Sequence, residues 1–269
     1  MSFCLVSNIC GKNQNLYSDR FWESHQHNKS VGGDSIEYFY QEGYPKTQPP
    51  EVATREEKEG FCYASKVYSL LDCIEEKNPE YIIWLDASVR IHHTFVNKTI
   101  DILDRHGTML LKEYDAGLEW LSSDRFFNTV GLKREDTKMP GLVGTLYGFK
   151  ISHPEGNRFF EKLKEYATKL DLWLGPCGIP WRPNDVGTPA LSLDSRVKGH
   201  RHDQSVMSYL HLKYGFHLHD NKKDPMFYNQ SYIQDLSISN PGQDVYYYPV
   251  EAPATHHPTS AHLSGGISR

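Results

Sequence analysis

Five apolar residues in a row, Tyr81-Ile82-Ile83-Trp84-Leu85, run directly into Asp86, with Ala87 and Ser88 behind it. A strand with one face in water alternates apolar and polar side chains. A run with no polar position suits a strand covered on both faces. Covering both faces takes helices above and below, which means a parallel or mostly parallel sheet in an α/β architecture. In such sheets ligands gather at the carboxyl ends of the strands, and Asp86 stands at that end. Its carboxylate either caps the turn after the strand or holds a metal ion against a bound group. The strand alone does not choose between these.

The rest of the chain alternates in the way this architecture demands. Strands are predicted over 3–7, 35–40, 108–112, 143–151 and 216–219. Phe61, Ala64, Val67, Tyr68, Leu71 and Ile74 recur at helical spacing, and Asn78-Pro79 stops that helix. Lys66 sits beside its apolar stripe, where the spacing favours solvent. Further helices are predicted over 95–105 (ended by Gly107), 118–130, 157–170 and 203–214. Residues 8–19 and 43–52 read as loops, and the Ser7-Asn8 corner is a candidate nucleotide contact. Gly144 and Gly148 interrupt a strand, which often marks a bulge or a close approach. Residues 174–192, rich in proline and glycine, read as a long loop, with Trp173 and Trp181 as a possible wall for a ligand. One domain over 1–220 is expected, with an extension over 221–269 packed on or closing over the site.

Composition removes several classes. The formal charge is -5 with no long basic block, so a dedicated nucleic-acid binder is excluded for want of a positive footprint. The five cysteines are odd in number and lack zinc-finger spacing, which fits reduced thiols in the cytoplasm. No stretch approaches the roughly 18 apolar residues of a membrane span, and residues 1–8 lack the pattern of a secretory leader. A soluble, cytoplasmic protein is the expectation.

A second polar cluster, Gly199-His200-Arg201-His202-Asp203-Gln204-Ser205, opens a late helix. Asp203 is either an N-terminal cap or a general base, and the helix dipole would keep it ionised. His200, Arg201, His202 and Gln204 are candidates for hydrogen bonds to a ligand's hydroxyls.

Residues 84–91, WLDASVRI, resemble the DxD region of GT-A fold glycosyltransferases. The helix carrying Lys66 is similar to the element that bears a donor-contacting lysine in several of those families. Residues 139–152, MPGLVGTLYGFKIS, resemble their mid-domain strand, and 200–208, HRHDQSVMS, resemble a late HDQS signature. The ordered resemblance spans roughly residues 3–220.

It implies a single GT-A-like domain: a mixed, mostly parallel sheet flanked by helices. It also implies transfer of a sugar from a UDP- or GDP-linked donor to a glycan hydroxyl. Asp86 would bind Mn2+ or Mg2+. Ser7, Asn8, Lys66, Asp86, Ala87 and Ser88 would hold the donor. Gly144, His200, Arg201, His202 and Gln204 would meet acceptor or sugar. Asp203 would be the base of an inverting reaction, or a sugar ligand if configuration is retained. Ser88 departs from the pattern, because a full DxD has an acid there; His217 or His219 would be the other ligand candidates. Two competing classes remain. One is a metal-dependent phosphoesterase or nucleotidyltransferase built on Asp86 and the 200–203 cluster, with His92-His93 upstream. The other is a sugar-binding relative without activity.

Overall fold

The computed structural model describes residues 2–11, 14–59, 63–87, 89–175, 189–197, 199–220 and 227–229. Its elements in chain order are β1 (Phe3–Ile9), α1 (Gln14–Gly32), β2 (Glu37–Glu42), α2 (Pro50–Glu59), α3 (Ser65–Lys77), β3 (Tyr81–Leu85) and β4 (Val89–Ile91). Then come α4 (Phe95–His106), β5 (Thr108–Gly117), α5 (Asp124–Val130), β6 (Pro140–Lys150), α6 (Pro154–Ala167), α7 (His202–Tyr214), β7 (Leu218–His219) and β8 (Phe227–Asn229).

The apolar run at 81–85 is β3, and every residue of it is buried. It lies inside a six-stranded sheet of order β2-β1-β3-β6-β5-β7. Only β6 runs against the other strands. This is the mixed, mostly parallel, helix-flanked sheet expected of a GT-A-like domain. Alternation along the strands divides the core in two. Cys4, Val6, Ile82, Trp84, Tyr147 and Phe149 face one layer with residues of α3, α6 and α7. Phe3, Leu5, Tyr81, Ile83, Leu85 and Met109 face the other, with residues of α4.

Helix ends follow local chemistry. Asn78 and Gly107 close α3 and α4 in the left-handed conformation, each giving its N–H to a carbonyl of the last turn. Asp72 of α3 accepts from the backbone amides of Lys46 and Thr47, the Thr47 hydroxyl and the Gln41 amide. The segment between β2 and α2 is thereby held on α3. Burial works against the charge of Asp72, but these donors outweigh it and lower its pKa.

Several sequence expectations are corrected. Residues 8–19 are not a loop: β1 continues to Ile9 and α1 begins at Gln14. The buried stripe of α1 includes Phe21, Ser24 and Asn28, so helical spacing is present but partly carried by polar residues. Asn28 earns its burial by bonding the backbone of β4 through Val89 O and Ile91 N–H. The 43–52 loop ends early, because Pro50 opens α2 at a first-turn position that needs no N–H. The helix expected over 118–130 is confined to α5, where Ser123 Oγ accepts from Phe126 N–H as the N-cap. Trp173 is no ligand wall. It is fully buried, and its indole donates to Tyr166 O.

Of the expected extension, 227–229 pairs antiparallel with β4. The rest of 221–269 lies outside the described residues, as do 176–188, with Trp181, and Ser88. No helix among the described residues is long and apolar enough to cross a membrane.

Candidate active site

Three ionisable side chains from three elements meet beyond the end of β3. Lys66, in the first turn of α3, places Nζ 2.6 Å from Asp86 Oδ1 and 2.5 Å from Asp203 Oδ2. Asp203 follows 137 residues after Lys66 in the chain. The ammonium also gives a 3.3 Å hydrogen bond to Gly144 O. An ammonium has three hydrogens, and all three are used. Lys66 is therefore not on the solvent side of its helix. Its side chain is 7% exposed, as is that of Asp203, while Asp86 is 26% exposed. The Tyr63 and Trp84 rings flank the ammonium at 4.7 and 5.2 Å.

Local geometry of β3 and β6 builds this meeting. Trp84 and Asp86 point to the same face, and Trp84 Nε1 donates to Asp86 Oδ1 at 2.8 Å. That oxygen is thus held twice, while Oδ2 has no hydrogen-bond partner among the described residues. The pairing of β6 with β5 slips between Leu142 and Tyr147. Such bulges re-aim side chains and are frequent beside active sites. Within this one, Thr145 O accepts from Asp86 N–H and Gly144 O from Lys66. Gly144 also lies so close to Asp203 that an added Cβ would sit 2.6 Å from Oδ2. The close approach anticipated at this glycine is made by a side chain of the protein itself.

The charges do not balance: one ammonium faces two carboxylates. Burial pushes the Asp203 carboxyl above the ordinary carboxylate range, and Asp86 adds to this against the pull of Lys66. Burial therefore acts against the helix dipole, which favours the ionised form. For Lys66 burial acts downward, but Asp203 and Asp86 outweigh it and the net shift is upward.

The head of α7 is fastened from behind. Arg201 N–H donates to Leu121 O, Ser205 Oγ donates to the same carbonyl, and Ser122 Oγ donates to Ser205 Oγ. His202 adopts a positive φ of 38°, a conformation that costs a non-glycine residue energy and recurs at functional sites. Its Nδ1 donates to Trp173 O, and its ring stacks on Tyr63 at 4.8 Å. Burial lowers its pKa well below the usual imidazole range.

The other residues named from sequence are distributed unevenly. His200 is fully buried behind the site: Nε2 donates to Leu172 O and Nδ1 accepts from Ser123 N–H. Burial brings its pKa down to about 4. It is an internal strut with no surface exposed to water. Gln204 accepts from Arg201 Nε at 2.6 Å and is itself buried. Asn8 spends its amide on Gly43 O, fixing the turn after β2. Ser7 Oγ is buried and has no hydrogen-bond partner among the described residues. Ala87 is half-buried in the turn before β4. His217 stacks flat on His106 at the β5–β7 edge. His92 bonds Thr94 in the turn before α4. Among the described residues no three of His, Cys, Asp or Glu gather into a group able to hold a metal ion.

Sequence reasoning missed Tyr147. Its ring stacks on Trp84 at 6.4 Å, and its buried hydroxyl has no partner. Inside an apolar strand it reads as ordinary core. Only its register opposite Trp84 and the bulge beside it bring it to the site.

Solved structures similar to this chain include a glycosyltransferase involved in the glycosylation of the major capsid of PBCV-1. It has 13% identity and a TM-score of 0.46, over 85% of this chain and 92% of that one. Mouse xyloside xylosyltransferase 1 is similar at 10% identity and a TM-score of 0.38, over 82% and 86% of the two chains. A galactosyltransferase in complex with donor and acceptor sugar analogues is similar at 8% identity and a TM-score of 0.32, over 62% and 66%. No family model matches the chain, and no curated protein does.

Proposed function

We propose that this protein is a glycosyltransferase that moves a sugar from a UDP- or GDP-linked donor to a hydroxyl of a glycan. One observation carries the reading. Asp86, at the ligand edge of the sheet, and Asp203, at the head of a distant helix, lie on the same buried ammonium. The DxD-like and HDQS-like motifs contribute these two acids, so the resemblance and the geometry point to one place.

The chemistry divides between them. Asp86 keeps Oδ2 for a ligand while Lys66 and Trp84 hold Oδ1. Mg2+ and Mn2+ commonly take one or two protein carboxylates and fill the remaining positions with phosphate oxygens and water, so a single free oxygen at this position fits such an ion. When bound it would offset the charge that grows on the departing diphosphate. Ser7, Ala87 and Ser88 would line the nucleotide side, and Lys66 would add its charge to the diphosphate. Asp203 would accept the proton of the attacking hydroxyl in an inverting transfer. Its burial-raised pKa suits that task, because a base works best when its pKa approaches the working pH. Arg201 and Gln204 beside it would orient the sugar. Among the described residues, Cys4, Cys10 and Cys73 form no disulfide, which accords with a cytoplasmic setting.

The test is a thermal-shift panel of UDP, GDP and their sugars, with and without Mn2+. Nucleotide is expected to stabilise the protein, more so with metal, and Asp86→Ala is expected to lose the metal-dependent part. Asp203→Asn is expected to keep donor stabilisation while turnover falls by about 10²–10⁴-fold. Turnover unchanged in Asp203→Asn removes this residue from the chemistry. A panel in which no nucleotide shifts the melting point removes the reading as a whole.

A further inference from the structure

The hydrogen bonds of Lys66 leave a question that the transfer chemistry does not answer. All three of its hydrogens are committed, to Asp86, Asp203 and Gly144 O. To reach a diphosphate, Nζ must release one of them. Asp86 also holds the Trp84 indole N–H and is partly open to water. The Asp203 side chain is only 7% exposed, so releasing it would leave a buried carboxylate short of a donor, which is costly. A replacement donor has to be at hand.

Tyr147 is placed to be that donor. Its hydroxyl is buried and has no hydrogen-bond partner among the described residues. A buried hydroxyl without a partner is uncommon and destabilising, so its retention calls for an explanation. Tyr147 lies in the same buried layer as Trp84 and as Val206 and Met207 of α7, the helix that carries Asp203. Its ring stacks on Trp84, which holds Asp86. Burial first, and then the charges of Asp203 and Asp86, raise the pKa of the phenol, so it stays protonated and meets a carboxylate as a donor.

We propose that Tyr147 is a positioning residue whose hydroxyl takes over Asp203 when Lys66 turns to a bound diphosphate. The hydroxyl has no bond to give up in making this exchange. Lys66 moves from carboxylate to phosphate, and the phenol moves onto the carboxylate it leaves. No proton changes owner. The inference rests on the glycosyltransferase reading.

The two fail differently in one experiment. Binding of UDP and of GDP, each with Mn2+, is measured calorimetrically for the wild type, Tyr147→Phe and Thr99→Val. The thermal midpoint of each free protein is recorded as well. Thr99 carries another buried hydroxyl without a partner, on α4 against the opposite face of the sheet, and serves as the control. Tyr147→Phe is expected to leave the free midpoint unchanged or raised, and to weaken the nucleotide about tenfold. Thr99→Val is expected to leave the nucleotide Kd unchanged. An unchanged Kd in Tyr147→Phe, beside a wild type that binds, overturns this inference alone. A lowered free midpoint in Tyr147→Phe also overturns it, because the hydroxyl would then be supporting the fold. A wild type that binds neither nucleotide overturns the glycosyltransferase reading, and this inference falls with it.

Discussion

Lys66→Met is expected to lower folding stability by about 3–5 kcal/mol, since removing one partner of a buried ion pair leaves uncompensated charge behind. Here the loss strands two carboxylates at once, Asp203 in the interior and Asp86 at its edge. Methionine keeps most of the volume between Tyr63 and Trp84, so the effect reports charge more than packing. For a chain of this length the melting temperature should fall by about 10 °C. The pH dependence carries a sign. Asp203 already has a raised pKa in the folded protein, and without the ammonium it rises further. A carboxyl with a folded pKa above its unfolded one binds its proton more tightly when folded. Its stabilising contribution is present at low pH and is lost as pH climbs through the folded value. Denaturant titrations of the variant should therefore show a smaller deficit near about pH 5 than near about pH 8. The double variant Lys66→Met/Asp203→Asn should recover part of the loss. A cost under about 1 kcal/mol, the range of exposed ion pairs, would mean that the cluster is solvated and does not act as described.

The same cluster marks where sequence reading succeeded and where it stopped. β3 was legible to the residue because a strand enclosed on both faces has no polar position to blur its ends. Asp86 was legible as its terminus. Asp203 was legible through the motif, but whether it met Asp86 was not, because that depends on Leu121 and Ser122 fastening α7 from a turn far back in the chain. Lys66 was placed on the solvent side because periodicity assumes that one helix face meets water. The first turns of α3 break the assumption: Ser65, Lys66, Ser69 and Asp72 are all buried. Ser69 and Asp72 bond across to Gln41 of β2. α1 escaped notice for a related reason, its buried stripe being partly serine and asparagine. Buried polar residues with partners look like surface until the partners are known. Tyr147 fails in the opposite direction, as an apolar-strand residue that carries a buried polar atom beside Trp84.

Gly144→Ala is the second large effect expected, and it isolates how tightly the two halves of the site are fitted. The backbone does not object, since Gly144 does not have a positive φ. The obstacle is the Asp203 carboxyl: the new methyl carbon would lie 2.6, 2.7 and 2.8 Å from Oδ2, Cγ and Oδ1. These are well inside contact distance, and Asp203 is short, buried and anchored to Lys66, so it cannot swing clear while the ion pair stays intact. Overpacking of this kind costs about 1–3 kcal/mol, and the displaced carboxylate loses its ammonium as well. Stability and turnover should fall together. A double-mutant cycle separates this from a general weakness of β6. In an Asp203→Ala background the three atoms nearest the new methyl group are gone, so Gly144→Ala should cost within about 0.5 kcal/mol of nothing. An equal cost in both backgrounds would assign the effect to the strand itself and would uncouple Gly144 from Asp203. If the cost vanishes only when the carboxylate is gone, the missing side chain at 144 is what lets an acid from α7 reach the lysine of α3, and the glycine read from sequence as a ligand contact makes room for Asp203.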